Sequence, residues 1–533
     1  MKKGILPLLA LPFLLPLGGC SPSTYHFVEA DSSKGSVGYE IFVGSFRDSD
    51  GDGIGDFKGI EESLPYLEDL GIRRIWLSPI MPSRSYHKYD VDDYFAVDSS
   101  FGTLEDFSSL VDACHEAGID VIIDLVLNHT SRYNQWFKDS AAARYAGEGG
   151  DGGAADDYMW ADRVPSGEEG VYHYNSQAAS YYLGAFSPDM PELNLDSPRV
   201  RKNIEDIVSF WLEGQGIDGF RLDATTYYYE DDVEKNVAFL DWFRETCEEV
   251  KEDVYIVGEA WGPDQATLAR YASSKIHFFN FPTACEAANL GTSSYIAALR
   301  NSQTWLSFDR SLATAASLFE EEAGASGYLA PFISNHDMDR WGTYFNGVEE
   351  KAGLEKLAAA MMILSPGTPW MYYGEEILMN GVRGQDAGSD ALRRQGMVWG
   401  EGIEKCKTPE NRADTNADTV GAYAAQKDPQ SLYQHYKRAI NLRNAHNDIF
   451  EFGSFAQRDL SQADMPSWMA YDISYEGKNY LLVHHKAGEE GRLSLDGNYA
   501  VVDGLSADGA SASCEGGELI AGAYASVLLE EGK

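Results

Sequence analysis

The pentapeptide Gly219-Phe220-Arg221-Leu222-Asp223 sets a guanidinium and a carboxylate two residues apart in an apolar run. In a strand alternate side chains share a face, so Arg221 and Asp223 point one way and Phe220 and Leu222 the other. A neighbouring positive charge favours the ionised carboxylate. An ionised carboxylate held at a strand end suits a nucleophile. Taken alone, the stretch fits an Arg–Asp pair closing a core layer better than it fits catalysis.

Three further clusters shift that balance. Asp124 leads to Asn128-His129, Glu259 follows Val257-Gly258, and Asn335-His336-Asp337 follows Phe332-Ile333. Each stands where an apolar run ends. Carboxylates at several strand ends, with no Ser or Cys motif beside them, suggest glycoside hydrolysis. That chemistry needs one carboxylate as nucleophile or base and one carboxylic acid. A second pattern is Asp48-Ser49-Asp50-Gly51-Asp52-Gly53-Ile54-Gly55-Asp56. Acids at alternate positions, with glycines for tight turning, can wrap oxygen ligands around Ca²⁺. It is not an EF-hand, because the twelfth position is Gly59, where a bidentate Glu is required. The plain alternative is a flexible acidic turn.

The elements that must position these groups follow one repeated phrase, a helical pattern ending in Gly-Ile and then an apolar strand. It occurs at Gly71-Ile72, Gly118-Ile119 and Gly216-Ile217. Each Gly suits the left-handed position that closes a helix. The runs that follow suit buried parallel strands. Expected strands lie at Tyr39 to Val43, Ile75 to Leu77, Val121 to Val126 and Phe220 to Asp223, then at Val254 to Gly258, Ile276 to Phe279, Pro331 to Ser334 and Pro369 to Tyr373. Eight such strands predict an α/β fold, a (β/α)8 barrel with catalytic groups at the C-terminal strand ends. Thr103 and Ser197-Pro198 read as helix starts.

The alternation stops over residues 129–194, a glycine- and aromatic-rich insertion after the third strand. The barrel is expected over 36–128 and 195–448. Short alternating runs among glycines over 449–533 predict a C-terminal antiparallel β-sandwich.

The chain has 533 residues and a net charge of −42. That excess of acid argues against nucleic acid and against electrostatic docking to anionic lipid. Lys2 and Lys3 precede an apolar run from Ile5 to Leu17 broken by prolines, which reads as a signal peptide over 1–19. Leu17-Gly18-Gly19-Cys20 resembles a bacterial lipobox, which implies lipid attachment to Cys20, a polar tether over 20–35, and an extracytoplasmic, membrane-anchored protein. The remaining cysteines, Cys114, Cys247, Cys285, Cys406 and Cys514, are widely spaced and form no metal or disulfide framework.

Four short stretches occur in order: Asp124-Leu125-Val126-Leu127-Asn128-His129, the Arg221 pentapeptide, Val257-Gly258-Glu259-Ala260-Trp261, and Phe332-Ile333-Ser334-Asn335-His336-Asp337. In combination they resemble glycoside hydrolase family 13, the α-amylase family, from about residue 36 onward. The resemblance implies Asp223 as nucleophile, Glu259 as general acid/base and Asp337 as the carboxylate that holds substrate hydroxyls. His129, Arg221 and His336 would complete the sugar site. In Tyr86-His87-Lys88-Tyr89-Asp90, Tyr89 would stack on the sugar, with His87 and Asp90 as hydroxyl partners, although Lys88 replaces the usual Gly. The acidic turn resembles the family's calcium loop, with Asp48, Asp50, Asp52, Asp56 and the Ile54 carbonyl as ligands. Asn128 would serve a second calcium.

Ala224 and the stretch Met190-Pro191-Glu192-Leu193-Asn194 resemble members acting on α-1,4 links. Thr226 and Tyr227 replace a common Lys-His pair, which suggests a product side built by Tyr227 to Tyr229. Arg394-Gln395-Gly396 is read as architecture. The expectation is a retaining, endo-acting, monomeric α-1,4-glucan hydrolase. The rivals are an α-1,6- or exo-acting glucosidase, a neopullulanase, a 4-α-glucanotransferase, and a non-catalytic glycan-binding lipoprotein. A non-catalytic relative should have lost one of the three acids, and all three are present.

Overall fold

A computed structural model describes residues 37–532 apart from 149, 151, 231, 285–292, 386–388 and 401. The expected signal peptide, the tether, Cys20 and Cys285 lie outside the described residues. Eight parallel strands form one sheet: β1 (Gly38–Ile41), β2 (Arg74–Leu77), β3 (Asp120–Leu125), β4 (Gly219–Leu222), β5 (Tyr255–Gly258), β6 (His277–Phe279), β7 (Leu329–Ala330) and β8 (Trp370–Tyr372). Each pairs with its sequence neighbour, β8 pairs with β1, and a Phe332–Trp370 bridge closes the ring between β7 and β8.

The Gly-Ile phrases behave as expected. Gly71, Gly118 and Gly216 all have positive φ, at 95°, 69° and 74°. The capping reads are also met: Thr103 and Asp106 form a capping box, and Ser197 caps a helix with Pro198 in its first turn. Two boundaries differ. The seventh strand is Leu329–Ala330, earlier than the expected Pro331 to Ser334. Pro331 has no N–H to give a ladder, and beyond it only Phe332 bridges to β8. The short helix Asn447–Phe452 crosses the expected boundary at 449, so the β domain begins at Ser454.

Side-chain alternation divides the barrel core. Outward residues such as Phe220 and Leu222 join the large core under the helices, and Phe220 meets Phe243. Inward residues Trp76, Ile122, Val257, Phe279 and Trp370 fill the interior as a separate apolar cluster. Above it the same strands turn polar. Glu40, Asp124 and Arg221 are inward and buried. Gly219 permits this closeness, since a Cβ there would stand 1.8 Å from the Tyr255 carbonyl oxygen on β5.

The insertion holds a helix, Gln135–Ala146, and a three-stranded antiparallel sheet, with bridges His129–Glu192 and Tyr158–Leu193 at its base. Phe137, Tyr158, Trp160 and Tyr182 form its aromatic core. At the C-terminus a five-stranded and a three-stranded antiparallel sheet pack Leu481, Val483 and Leu529 against Leu493 and Leu519, which is the expected sandwich. Cys114, Cys247, Cys406 and Cys514 are free thiols.

Candidate active site

Arg221 organises the polar layer. Its Nη1 donates to Asp124 Oδ1 at 2.9 Å and to Asp223 Oδ1 at 2.8 Å, and its Nη2 stands 2.9 Å from Glu259 Oε2. Beneath it lies the Trp76 ring, 4.9 Å away. Burial works against the charge, but Asp124 and Glu259 outweigh it and raise the Arg221 pKa. The residue therefore stays cationic and binds the nucleophile candidate and the acid candidate at once.

Glu259 follows β5 and is buried. Burial pushes its carboxyl up, and Asp223 and Asp337 add to this against the opposing Arg221, to about 7. Its Oε2 also accepts the Ala224 N–H at 3.0 Å, which leaves Oε1 for a proton. That contact depends on Ala224, a left-handed residue at φ 50°. A β-branched residue fits such a backbone poorly. The Thr225 hydroxyl and N–H both bind the Glu259 carbonyl, so the β4 and β5 loops are locked together.

His336 connects the loop after β7 to strand β1. Its Nδ1 lies 2.5 Å from Glu40 Oε1 and its Nε2 lies 2.8 Å from Asp337 Oδ2. Burial disfavours its charge, but Asp337 and Glu40 raise its pKa to about 10. The ring is an imidazolium, and both N–H groups have carboxylate partners. Tyr89 stacks parallel to it, with ring centroids 5.6 Å apart, and the Tyr89 hydroxyl donates to Asp124 Oδ2 at 3.0 Å.

Arg394, read from the sequence as architecture, is the functional residue that reading missed. Its Nη2 donates to Asp337 Oδ1 at 2.5 Å, its Nε to the His336 carbonyl at 3.1 Å and its Nη1 to the Tyr86 hydroxyl at 3.2 Å. Burial opposes the Asp337 charge, yet His336 and Arg394 hold that carboxyl well below the usual range. Nothing in its sequence spacing signals this, since Arg394 lies 57 residues from Asp337.

The other expected residues divide. His87 lines the cavity; burial, helped by the Arg394 charge, lowers its pKa to about 4, so the ring is neutral. His129 also lines it, and its Nε2 has no hydrogen-bond partner among the described residues. Asp90 does not line it. Its Oδ1 instead accepts from the Ser83 hydroxyl at 2.6 Å and from Ser85, which braces the turn. Lys88 keeps the left-handed backbone that Gly would favour, at φ 62°, and its ammonium pairs with Asp98 at 2.8 Å. Of the three tyrosines expected on the product side, Tyr227 lines the cavity, beside Thr226, and its ring lies 4.6 Å from Phe186. Tyr228 packs on Phe239, and Tyr229 donates to Asp196.

These groups surround a cavity of about 830 Å³, within the range of small-ligand sites. Beside Glu259 its wall is aromatic: Trp261, Tyr227 and Phe186. Beside Asp337 its wall is Arg394, Tyr86, Asp390 and Glu410.

The acidic turn brings Asp48, Asp50 and Asp56 together, with carboxylate oxygens within 4.8 Å of one another. This is a hard-oxygen donor set that fits Ca²⁺. The Asp52 carboxylate is not in the group. Its Oδ1 accepts the Ile54 N–H at 2.7 Å, and the Asp52 carbonyl accepts from Lys407 Nζ at 2.5 Å. No second group of three acidic, His or Cys ligands occurs among the described residues, and Asn128 is buried beside His129.

Residues 40–453 match the family model described as alpha amylase, catalytic domain. Alpha-amylase 3 of Dictyoglomus thermophilum is 32% identical over 502 residues, 93% of each chain. An oligo-1,6-glucosidase of Heyndrickxia coagulans is 29% identical over 543 residues, 87% of this chain and 93% of its own. Among solved structures, Eubacterium rectale Amy13B superposes with a TM-score of 0.84 at 33% identity, covering 95% of this chain and 97% of that one.

Proposed function

The chain belongs to the alpha-amylase family of glycoside hydrolases, and from that premise we propose that it cleaves internal α-1,4 links of starch-like glucans by double displacement. The observation that carries the reading is the shared guanidinium. Asp223 and Glu259 bind two nitrogens of Arg221, which makes them close neighbours, as in retaining enzymes where the carboxyls lie about 5–5.5 Å apart. Asp223 attacks the anomeric carbon and forms an ester. The glycosidic bond breaks, and the Glu259 proton passes to the leaving oxygen. Water then gives its proton to Glu259 and its oxygen to the sugar, and the ester bond to Asp223 breaks.

The remaining groups act before and during that step. Asp337, held ionised between His336 and Arg394, accepts sugar hydroxyls and favours the developing positive charge. Tyr89 offers its ring to the sugar face, while His87 and His129 offer neutral imidazole nitrogens. Asp48, Asp50 and Asp56 would hold Ca²⁺, whose role would be to fix the turn after β1. Ala224 supports the α-1,4 assignment over α-1,6. The Cys20 lipobox supports lipid anchoring outside the cytoplasm, and partition into the membrane fraction of wild type but not Cys20→Ser tests it.

Product analysis on starch, pullulan and isomalto-oligosaccharides tests the linkage. Short maltodextrins from starch are expected. Turnover of isomalto-oligosaccharides alone would overturn the α-1,4 reading, and turnover of none would overturn the catalytic one.

A further inference from the structure

The wall of the cavity next to Asp337 contains a residue that the chemistry above leaves unused. Glu410 lines the cavity from a turn, Pro409–Asn411, far along the chain from every catalytic group. Glu410 and Asn411 are both left-handed, at φ 58° and 52°. Two consecutive non-glycine residues in that region are strained, and such strain persists only where the surroundings impose it. The surroundings do so here. Lys405 Nζ binds Asp414 at 2.8 Å across the base of the turn. The Lys407 N–H donates to the Gly53 carbonyl at 2.9 Å, and its ammonium to the Asp52 carbonyl. Asn416, buried, clamps Asn380 through both its side-chain atoms. The segment is a strap fixed at both ends.

The carboxylate it carries is exposed, and no hydrogen bond or ion pair satisfies it among the described residues. Its position relative to the reaction follows from the roles of the acids. The leaving part of the substrate lies beside Glu259, the proton donor. In that reading the sugar being transferred lies over Asp223 and meets Asp337, which puts the preceding unit toward Arg394 and Tyr86, the neighbours of Asp337. Glu410 stands on that donor side, close enough to Tyr86 to contribute, after burial, to the raised pKa of that phenol.

We propose that Glu410 is a specificity-determining residue, whose carboxylate accepts hydroxyls of the second donor-side glucosyl unit. The inference rests on the glucan-hydrolase reading. It assigns Glu410 to binding a sugar one unit away from the cleaved bond and gives it no part in bond cleavage.

The test compares p-nitrophenyl α-glucoside, with one donor-side sugar, and p-nitrophenyl α-maltoside, with two, by release of p-nitrophenol. A hydrogen bond to a charged group at an exposed site corresponds to roughly tenfold in affinity at most. Glu410→Ala is therefore expected to raise KM for the maltoside up to about tenfold with kcat within about twofold, and to leave the glucoside unchanged. Glu410→Gln, which keeps an acceptor oxygen, should recover most of the loss. An unchanged maltoside KM in Glu410→Ala would overturn the proposal, as would an equal shift on both substrates. A wild-type enzyme that takes only the glucoside would overturn it while leaving the hydrolase reading in place. Failure of the wild type on both substrates and on starch would remove that reading, and this one with it.

Discussion

The protein contains two gatherings of carboxylates built on opposite principles. In the turn 48–56 the acids are satisfied locally. Asp48 accepts the N–H groups of Asp50, Gly51 and Gly53, and Asp56 accepts those of Ser49 and Gly59. At the barrel mouth Asp124, Asp223, Glu259, Asp337 and Glu40 are satisfied by Arg221 of β4, His336 of the loop after β7 and Arg394 of the segment after β8, so that most of these pairs join different strands or loops. The first arrangement leaves carboxylate oxygens of Asp48, Asp50 and Asp56 converging, with no Lys or Arg paired to them among the described residues, which suits a metal ion. The second interleaves them with cations, and there burial pushes the Glu259 carboxyl up while His336 and Arg394 hold that of Asp337 down.

The sharpest way to break the comparison is to remove the proposed nucleophile. Asp223→Asn is expected to lower kcat by at least about 10⁴-fold while starch binding and the melting midpoint change little; near-normal turnover would show that another carboxylate attacks. Next is the shared cation. Arg221→Met strands Asp124 in the interior, so it should cost about 3–5 kcal/mol in chemical unfolding, whereas Asp50→Asn in the turn should cost far less in calcium-free buffer.

The third test is pH. With Glu259 at about 7, the acid is protonated below that value, so kcat/KM should fall as pH rises through it. His336 works in the same direction on stability. Its folded pKa of about 10 exceeds the unfolded value of about 6.5, so its contribution is complete below 6.5 and is lost as pH climbs to 10. The stability gap between wild type and His336→Gln, followed by denaturant titration, should narrow over that window.

The smallest expected effect concerns the turn. At a calcium concentration one hundredfold above Kd, the ion should add about 2.7 kcal/mol, read as a melting shift on chelation. Asp48→Asn should abolish the shift and Asp52→Asn should only reduce it. Equal loss in both would return Asp52 to the ligand set.

Much of this was legible along the chain. The Gly-Ile phrase located helix ends because a left-handed residue is needed there and glycine takes it at little cost. Period-two alternation placed Arg221 and Asp223 on the inward face, and the turn's acids were recognisable because their partners lie within a few residues. Asp90 shows the limit. The family resemblance implied a sugar contact for it, whereas the fold sets its Oδ1 against two nearby serines. Tyr228 and Tyr229 show it again, since a run of tyrosines does not reveal which ring the loop turns inward.

By itself, then, the sequence indicated an eight-stranded barrel, an insertion, a C-terminal β region and the acidic turn, because these are written in local spacing, while the roles of the three acids came from the family resemblance. The tertiary structure decided what spacing cannot carry. Arg394 is joined to Asp337, Glu40 to His336, Arg221 to Glu259 as well as Asp223, and Glu410 to the cavity wall. The physical reason is that the proton affinity of a buried carboxylate depends on charges within a few ångströms in space, and closing the barrel brings together residues that lie hundreds of positions apart.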